Sequence, residues 1–225
     1  GAKYPRGDGA LLPDGAVLNA PLPSGVPPAV TADTGMDVLA HAAEAYVANK
    51  ATVYTDALAE KAFVLAFQNL RPAYDAKGES EAKADMLLAS NLAGMAFNAA
   101  GLGLCHGMAH ALGGRYHVPH GRLNAMLLPH VVAFNAAQPQ AAKKYARLAQ
   151  LCGLSPTSRS LIFGLNRLRS QLGQPQRLSS CGVDGKTVKA DSDAIAAAAL
   201  ADLCTPSNPR PATAQDVKGL LKELV

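Results

Sequence analysis

The sequence predicts a mainly α-helical protein, and three observations carry that prediction. Of 225 residues, 49% are apolar, only 5% are aromatic and tryptophan is absent. Alanine is the most frequent residue, and an alanine-rich, β-branch-poor chain favours packed helices over sheet. From Thr34 onward, apolar residues recur at helical spacing, and segments with that spacing are separated by capping residues, glycines and prolines.

The elements follow in order. Residues 1–30 are rich in Gly and Pro, with short apolar pieces such as AVLNA (16–20). They are expected to form extended linker and one or two short strands, a piece too small to bury a core. Residues 31–225 are expected to form the helical domain. A first helix is expected from Thr34, with Thr34 as N-cap, Asp37 completing a capping box, and an apolar face of Val38, Leu39, Ala42, Ala45 and Tyr46. A second runs from about 55 to 74. A third runs from about 80 to 99, with Leu87, Leu88, Leu92 and Phe97 expected in the core. The stretch GLGLCHGMAHALGGRYHVPHG (101–121) holds a helix expected to stop at Gly113–Gly114, since glycine favours the left-handed cap position. Further helices are expected near 121–135, 139–152, 157–172 (opened by Ser155–Pro156), 187–204 and 213–224. TPSNPRP separates the last two.

Charge and cysteine usage narrow the function classes. The net charge is only +4. No Asp or Glu occurs from Met86 to Val183, yet that stretch carries Arg115, Arg122, Lys143, Lys144, Arg147, Arg159, Arg167, Arg169 and Arg177. No stacking array of aromatics accompanies them, so a solvated or domain-facing basic surface is expected, not a nucleic-acid face. The four cysteines are widely spaced, which suits reduced thiols in a cytoplasmic protein better than a disulfide framework or a thiolate zinc site. Cys105, beside His106, is read as a small buried residue, with a catalytic thiol as the rival reading. No apolar run reaches the ~20 residues of a membrane-spanning helix.

All six histidines fall between positions 41 and 130. His106 and His110 are one turn apart on a helix and share a face. His120 follows Pro119 at the expected start of the next helix, so it can converge with them. The acid-free stretch means that a carboxylate at this site must come from before Met86 or after Val183. Asp37 and His41, also one turn apart, are the leading pair, with Glu44 as a competing carboxylate. One oxygen and three imidazole nitrogens would close a tetrahedral zinc site or leave open positions on Fe(II). Spacing alone does not decide between His106 and His110.

The segments PPAVTADTGMDVLAHAAEAYV (27–47), ASNLAGMAFNAAGLGLCHGMAHALGG (89–114), VPHGRLNAMLLPHVVAFN (118–135) and TPSNPRPAT (205–213) resemble the iron-containing (group III) alcohol dehydrogenases. The look is that of the branch with ethanolamine-utilisation-type and butanol-type enzymes. The resemblance implies a two-domain enzyme with an α/β dinucleotide-binding domain first and an all-helical metal domain second. It implies Asp37, His41, His106 and His120 as metal ligands and His110 as a candidate catalytic residue near nicotinamide and substrate. His117 receives no role, and His130 is taken as packed or supporting. The implied cofactors are Fe(II), or Zn in its place, and NAD(P). The implied partners are a small alcohol or aldehyde and, in the intact enzyme, further copies of itself in a homo-oligomer, with no nucleic acid and no membrane. No Gly-rich pyrophosphate loop precedes this region, and GLGLCHG follows a helix, where its glycines are expected to allow close packing. The chain is therefore expected to be the C-terminal domain with a remnant of the nucleotide domain at 1–30, binding metal but inactive alone. Rival readings are a non-redox metal-binding helical domain, a hydrolase or lyase using metal-bound water, and a glycerol dehydrogenase-like or dehydroquinate synthase-like relative.

Overall fold

Helix α1 (Pro28–Val47) is the element on which the others are assembled. In this computed structural model, which describes residue 3 and residues 9–225, α1 touches α2 (Val53–Asp75), α3 (Glu81–Ala100), α4 (Leu104–Tyr116), α5 (His120–Asn135) and α6 (Pro139–Leu151). Its second half, from Ala42 to Val47, is buried on every side. An outer set of helices closes the bundle. Helix α7 (Ser158–Gln171) packs on α5 and α6. Helices α8 (Gly185–Ala190), α9 (Ser192–Ala201) and α10 (Ala214–Lys222) cover α4 and the far side of α5. Among the described residues there is no strand; 16–19 carries no regular secondary structure, so the strand expected there does not form. A strand needs a partner ladder, and the neighbouring segments are 3-10 turns and helix.

Several boundaries differ from expectation for local reasons. Helix α1 opens at Pro28, not Thr34, because Pro27 is extended and Pro28 suits the first helical position. Thr34 lies inside the helix and donates its hydroxyl to the Val30 carbonyl, 2.8 Å away. Asp37 is therefore no cap, and its carboxylate is free to face inward. Helix α4 runs past Gly113 and Gly114 to Tyr116, and His117 takes the left-handed position at φ 58°. Gly113 instead admits the Leu123 side chain, 3.4 Å from where a Cβ would stand. Helix α7 is capped by Thr157, which accepts the Ser160 N–H at 3.0 Å, not by Ser155–Pro156. The expected 187–204 helix breaks at Asp191, whose carboxylate is held by Arg115 (2.9 Å) and Tyr116 (3.0 Å) from the end of α4.

Helix α3 buries alanines 89, 93, 96 and 100, while Leu88 is exposed and Leu87, Leu92 and Phe97 are half-buried. The four residues expected in the core thus flank it. Small side chains let α3 lie close on α2 and α1. The chain then bends by 103° at Gly101, whose φ of 85° suits glycine, into α4. Among the described residues no single helix is long and apolar enough to cross a membrane.

Folding compensates part of the segregated charge, while Lys143, Arg159, Arg167 and Arg177 stay on an exposed basic surface. Arg122 pairs with Asp33, Lys144 with Asp56 and Arg147 with Glu60, each an acid from before Met86. Arg169 is not on a basic surface at all. It is 4% exposed and points Nη1 at the Ala125 carbonyl, 3.4 Å away. That carbonyl lost its helical donor because Pro129, four residues on, has no N–H.

Candidate metal centre

The site forms where α1, α4 and α5 meet. A close crossing sets their spacing: a Cβ on Gly121 would stand 2.6 Å from the carbonyl carbon of Asp33, so α5 begins against the backbone of α1. That contact puts His120, the first residue of α5, beside Asp37, one turn along α1. At the start of α4, Gly103 and Gly107 play the same part. A Cβ on the first would meet Glu44 Oε1 at 2.8 Å, and one on the second would meet the Ala199 carbonyl at 2.9 Å. The glycines of GLGLCHG serve close packing.

One ligand atom each from Asp37, His41 and His106 lies within 4.8 Å of the others. Asp37 Oδ1 is 3.5 Å from His106 Nε2 and 3.7 Å from His120 Nε2. His120 stands outside the first trio but adjoins it through Asp37. His41 stacks on His106 with ring centroids 4.5 Å apart, and Phe97 covers its other face at 4.7 Å. Two ligand atoms each ~2.1 Å from one ion at a tetrahedral angle lie ~3.4 Å apart, so the observed separations match a single cation.

The hydrogen bonding makes the same point. The Nδ2 amide of Asn124 lies 2.5 Å from Asp37 Oδ1, 3.2 Å from His106 Nε2 and 3.1 Å from His120 Nε2. One amide nitrogen carries two hydrogens and here meets three groups, so it cannot satisfy them all. His120 Nδ1 is also buried without a partner. The donor set of one carboxylate and three imidazoles suits a borderline divalent ion such as Fe(II) or Zn(II).

Electrostatics follow from this crowding. Burial alone would raise Asp37, but the hydrogen bond from His106 and the nearby imidazoles hold its carboxyl well below the usual range. Burial and the neighbouring His106 push His41 down to about 3. Burial lowers His120 to about 4 against the pull of Asp37. Both rings are therefore held neutral near pH 7, the form in which an imidazole can bind a metal. Burial would lower His106 too, but Asp37 and Glu44 on either side outweigh it and raise it to about 9.

Glu44 explains the choice between His106 and His110. It is 2% exposed and accepts from His106 Nδ1 at 2.6 Å and from the Cys105 N–H at 2.6 Å. It sits behind His106, accepts from Nδ1 and leaves Nε2 facing Asp37, with both of its oxygens engaged away from the cluster. Its second oxygen caps the first turn of α4, where a negative charge is favoured. His110 is instead tied away from the centre, with Nδ1 2.9 Å from Asp202 Oδ2. Its ring stacks on that of His120 at 5.0 Å.

The remaining candidates separate cleanly. His117 is an exposed helix cap. His130 lies ten residues along α5 from His120, roughly 15 Å away. It borders a groove with Gln215, Asp216 and Glu223 of the α10 region and does not support the site. Cys105 is fully buried, its thiol pushed up by burial and by Glu44, and it packs 3.3 Å from Asn124 Oδ1. That is the small buried residue expected, and the contact orients the Asn124 amide. Sequence reading missed Asn124, Asp202 and Asn208. Asn124 carried a signal, four residues after His120; the other two carried none. Asn208 accepts the Leu104 N–H at 3.1 Å and exchanges bonds with Asn135, pinning the TPSNPRP turn to the start of α4.

Fold and site together define a helical bundle domain with an inward-facing cluster of nitrogen and oxygen atoms of a kind that could hold a divalent cation. The C-terminal model of the Fe-containing alcohol dehydrogenase family matches residues 31–225, and the chain belongs to that family. It is similar to the 1-propanol dehydrogenase PduQ of Salmonella typhimurium, 49% identical over all of this chain and 63% of that protein. It is 38% identical to the NADPH-dependent butanol dehydrogenase of Clostridium saccharobutylicum over 98% of this chain and 57% of that one. Among solved structures, the iron-containing alcohol dehydrogenase of Thermococcus thioreducens superposes with a TM-score of 0.88 at 35% identity, over 94% of this chain and 55% of that one. A 1,3-propanediol oxidoreductase superposes at 0.84 with 41% identity, over 90% and 53%. The chain thus spans less than two thirds of the length of these relatives.

Proposed function

We propose that this chain is the metal-holding part of an NAD(P)-dependent dehydrogenase that interconverts a small primary alcohol and its aldehyde. The observation that carries this reading is the convergence of Asp37, His41, His106 and His120 beneath the face of His110. The relatives named for propanol, butanol and propanediol support a short alcohol as substrate. When bound there, Fe(II), or Zn(II) in its place, supplies Lewis acidity toward the alcohol or aldehyde oxygen. The chain's own residues do the rest. Asp37 balances part of the ion's charge, and the three imidazoles meet it as neutral lone-pair donors. Glu44 holds His106 in the tautomer that turns Nε2 inward. Phe97 and the buried wall of α4 keep water from one side of the centre. His110, beside His120, is placed to take the hydroxyl proton of the alcohol, and a nicotinamide supplied by the rest of the enzyme would be the hydride acceptor.

Metal analysis after reconstitution tests the reading. The 225-residue chain is expected to bind one Fe(II) or Zn(II) tightly and to show no alcohol oxidation by itself. Asp37→Ala and His106→Ala should each abolish tight binding while the chain stays helical by circular dichroism. Full metal content in either folded variant would overturn the assignment. NAD(P)-linked turnover by the chain alone would overturn its restriction to the metal-holding part.

A further inference from the structure

A second buried carboxylate stands on the other side of the centre, and nothing in the ligand set accounts for it. Asp202 follows the last residue of α9, and its side chain is 6% exposed. Both of its oxygens are engaged. Oδ1 accepts the Cys204 N–H at 2.9 Å, and Oδ2 lies 2.9 Å from His110 Nδ1. The corner that carries it is fixed by its own bonds. The Thr205 hydroxyl donates to the Ala199 carbonyl at 2.5 Å, and the Thr205 N–H donates to the Asp202 carbonyl at 3.2 Å. Helix α4 can lie against this corner because residue 107 is glycine: a Cβ there would stand 2.9 Å from the Ala199 carbonyl and 3.6 Å from Asp202 Cβ. Gly107 and His110 are three apart on one helix face, so the contact that admits the corner also aims His110 at the carboxylate.

The consequence lies at the other nitrogen. A carboxylate accepts only, so Nδ1 must carry the hydrogen, and a neutral ring then keeps its lone pair on Nε2. The ring is held flat against His120 at 5.0 Å and 12°, and edge-on to His106 at 6.1 Å. Nε2 is therefore the nitrogen left without the carboxylate, on a ring that lies beside His120 and His106. We infer that Asp202 is a positioning residue that locks His110 as the Nδ1–H tautomer, leaving Nε2 as the acceptor for the hydroxyl proton of the alcohol. In that transfer the proton leaves the substrate oxygen for Nε2, and the resulting imidazolium keeps its Nδ1–H bond to the Asp202 carboxylate. The role in proton transfer rests on the proposed dehydrogenase reading; the tautomer does not. Cys204 lies close enough to His110 and Asp202 for the three to hold a metal of their own, and that arrangement is the competing outcome.

The test reads the ring nitrogens directly. In the chain labelled with ¹⁵N-histidine, free or zinc-loaded at about pH 8 where an ordinary imidazole is neutral, long-range ¹H–¹⁵N spectra report which nitrogen bears hydrogen. His110 is assigned by its loss in His110→Gln. The expected result is hydrogen on Nδ1 and a lone pair on Nε2 in the unaltered chain. Asp202→Asn keeps an oxygen for the Cys204 N–H and turns an amide toward Nδ1, so it should exchange the two resonances while zinc content stays at the unaltered level. A merely structural Asp202 would leave the tautomer unmoved. Hydrogen on Nε2 in the unaltered chain, or an unchanged pattern in a folded Asp202→Asn, overturns the inference. So does a thiolate charge-transfer band on Co(II) loading that Cys204→Ser removes, since the metal would then hold His110 through Nδ1. Loss of metal in Asp37→Ala tests the metal assignment separately, so the two can fail independently.

Discussion

Replacing Glu44 by Gln should loosen the metal without unfolding the chain. The two side chains have the same shape, and one arm of Gln can still accept the Cys105 N–H that Glu44 holds at 2.6 Å. The other arm then presents an N–H₂ to His106 Nδ1, where Glu44 now accepts at 2.6 Å. Two donors cannot share that contact, so in the neutral form that binds an ion the ring must carry its hydrogen on Nε2. That nitrogen faces Asp37 Oδ1 at 3.5 Å, and a hydrogen there occupies the direction from which His106 would bind the ion. His106 and Glu44 are 1% and 2% exposed, so water cannot repair the mismatch. The bond that is lost is charge-assisted, about 1.5–3 kcal/mol by general experience. Loss of a ligand's supporting partner typically costs about 10- to 100-fold in metal affinity, or ~1.4–2.7 kcal/mol, which agrees. Competition of the chain against a chromophoric chelator for Zn(II) measures it. An affinity within twofold of the unaltered chain, in a variant that still unfolds cooperatively, would refute the idea that Glu44 orients His106.

Three further outcomes follow from the packing. Gly121→Ala should destabilise the chain by about 1–3 kcal/mol, as overpacking does, and weaken Zn(II) binding, because the new methyl meets the Asp33 carbonyl and moves His120 from Asp37; thermal unfolding and the same competition assay read both. Asn208→Ala should lower stability by about 2–4 kcal/mol, since the Leu104 N–H and the Asn135 amide lose their buried partner. At this chain length that is roughly 4–15 °C in Tm, and a shift under ~2 °C would mean water replaces Asn208. Cys105 is fully buried and its thiol is pushed up by burial, and burial likewise carries Cys152 up to about 12. Both should resist alkylation near pH 8 in the folded chain and react once denaturant is added; rapid labelling of Cys105 in the native state would contradict its place against Asn124.

The sequence by itself determined what depends on neighbours along the chain. Helical spacing located the helices, because a buried face recurs every 3.6 residues whatever it packs against. The placing of α5 and α6 is right to within about a residue for that reason. The i, i+4 pairs Asp37–His41 and His106–His110 were legible for the same reason. The acid-free stretch also showed that any carboxylate at the site had to arrive from elsewhere in the chain.

Which histidine turns toward Asp37 was not legible, because the deciding partners are remote: Glu44 is 62 positions from His106, and Asp202 is 92 from His110. The core of α3 was misjudged because the packing distance to α2 and α1 chose alanine over leucine, and no periodicity reports that distance. The start of α1 and the stop of α4 were misjudged because several residues in each region could cap, and the competition was settled by the crossing of α1 with α5 and by the grip of α4 on Asp191. The basic run is an exposed surface only in part, at Lys143, Arg159, Arg167 and Arg177, because folding brings Asp33, Asp56, Glu60 and Asp191 against its other members and Pro129 draws Arg169 inside. Local pattern fixes which residues share a face; only the tertiary structure fixes what that face meets, since hydrogen bonds and ion pairs across the bundle form between groups whose separation in sequence carries no signal.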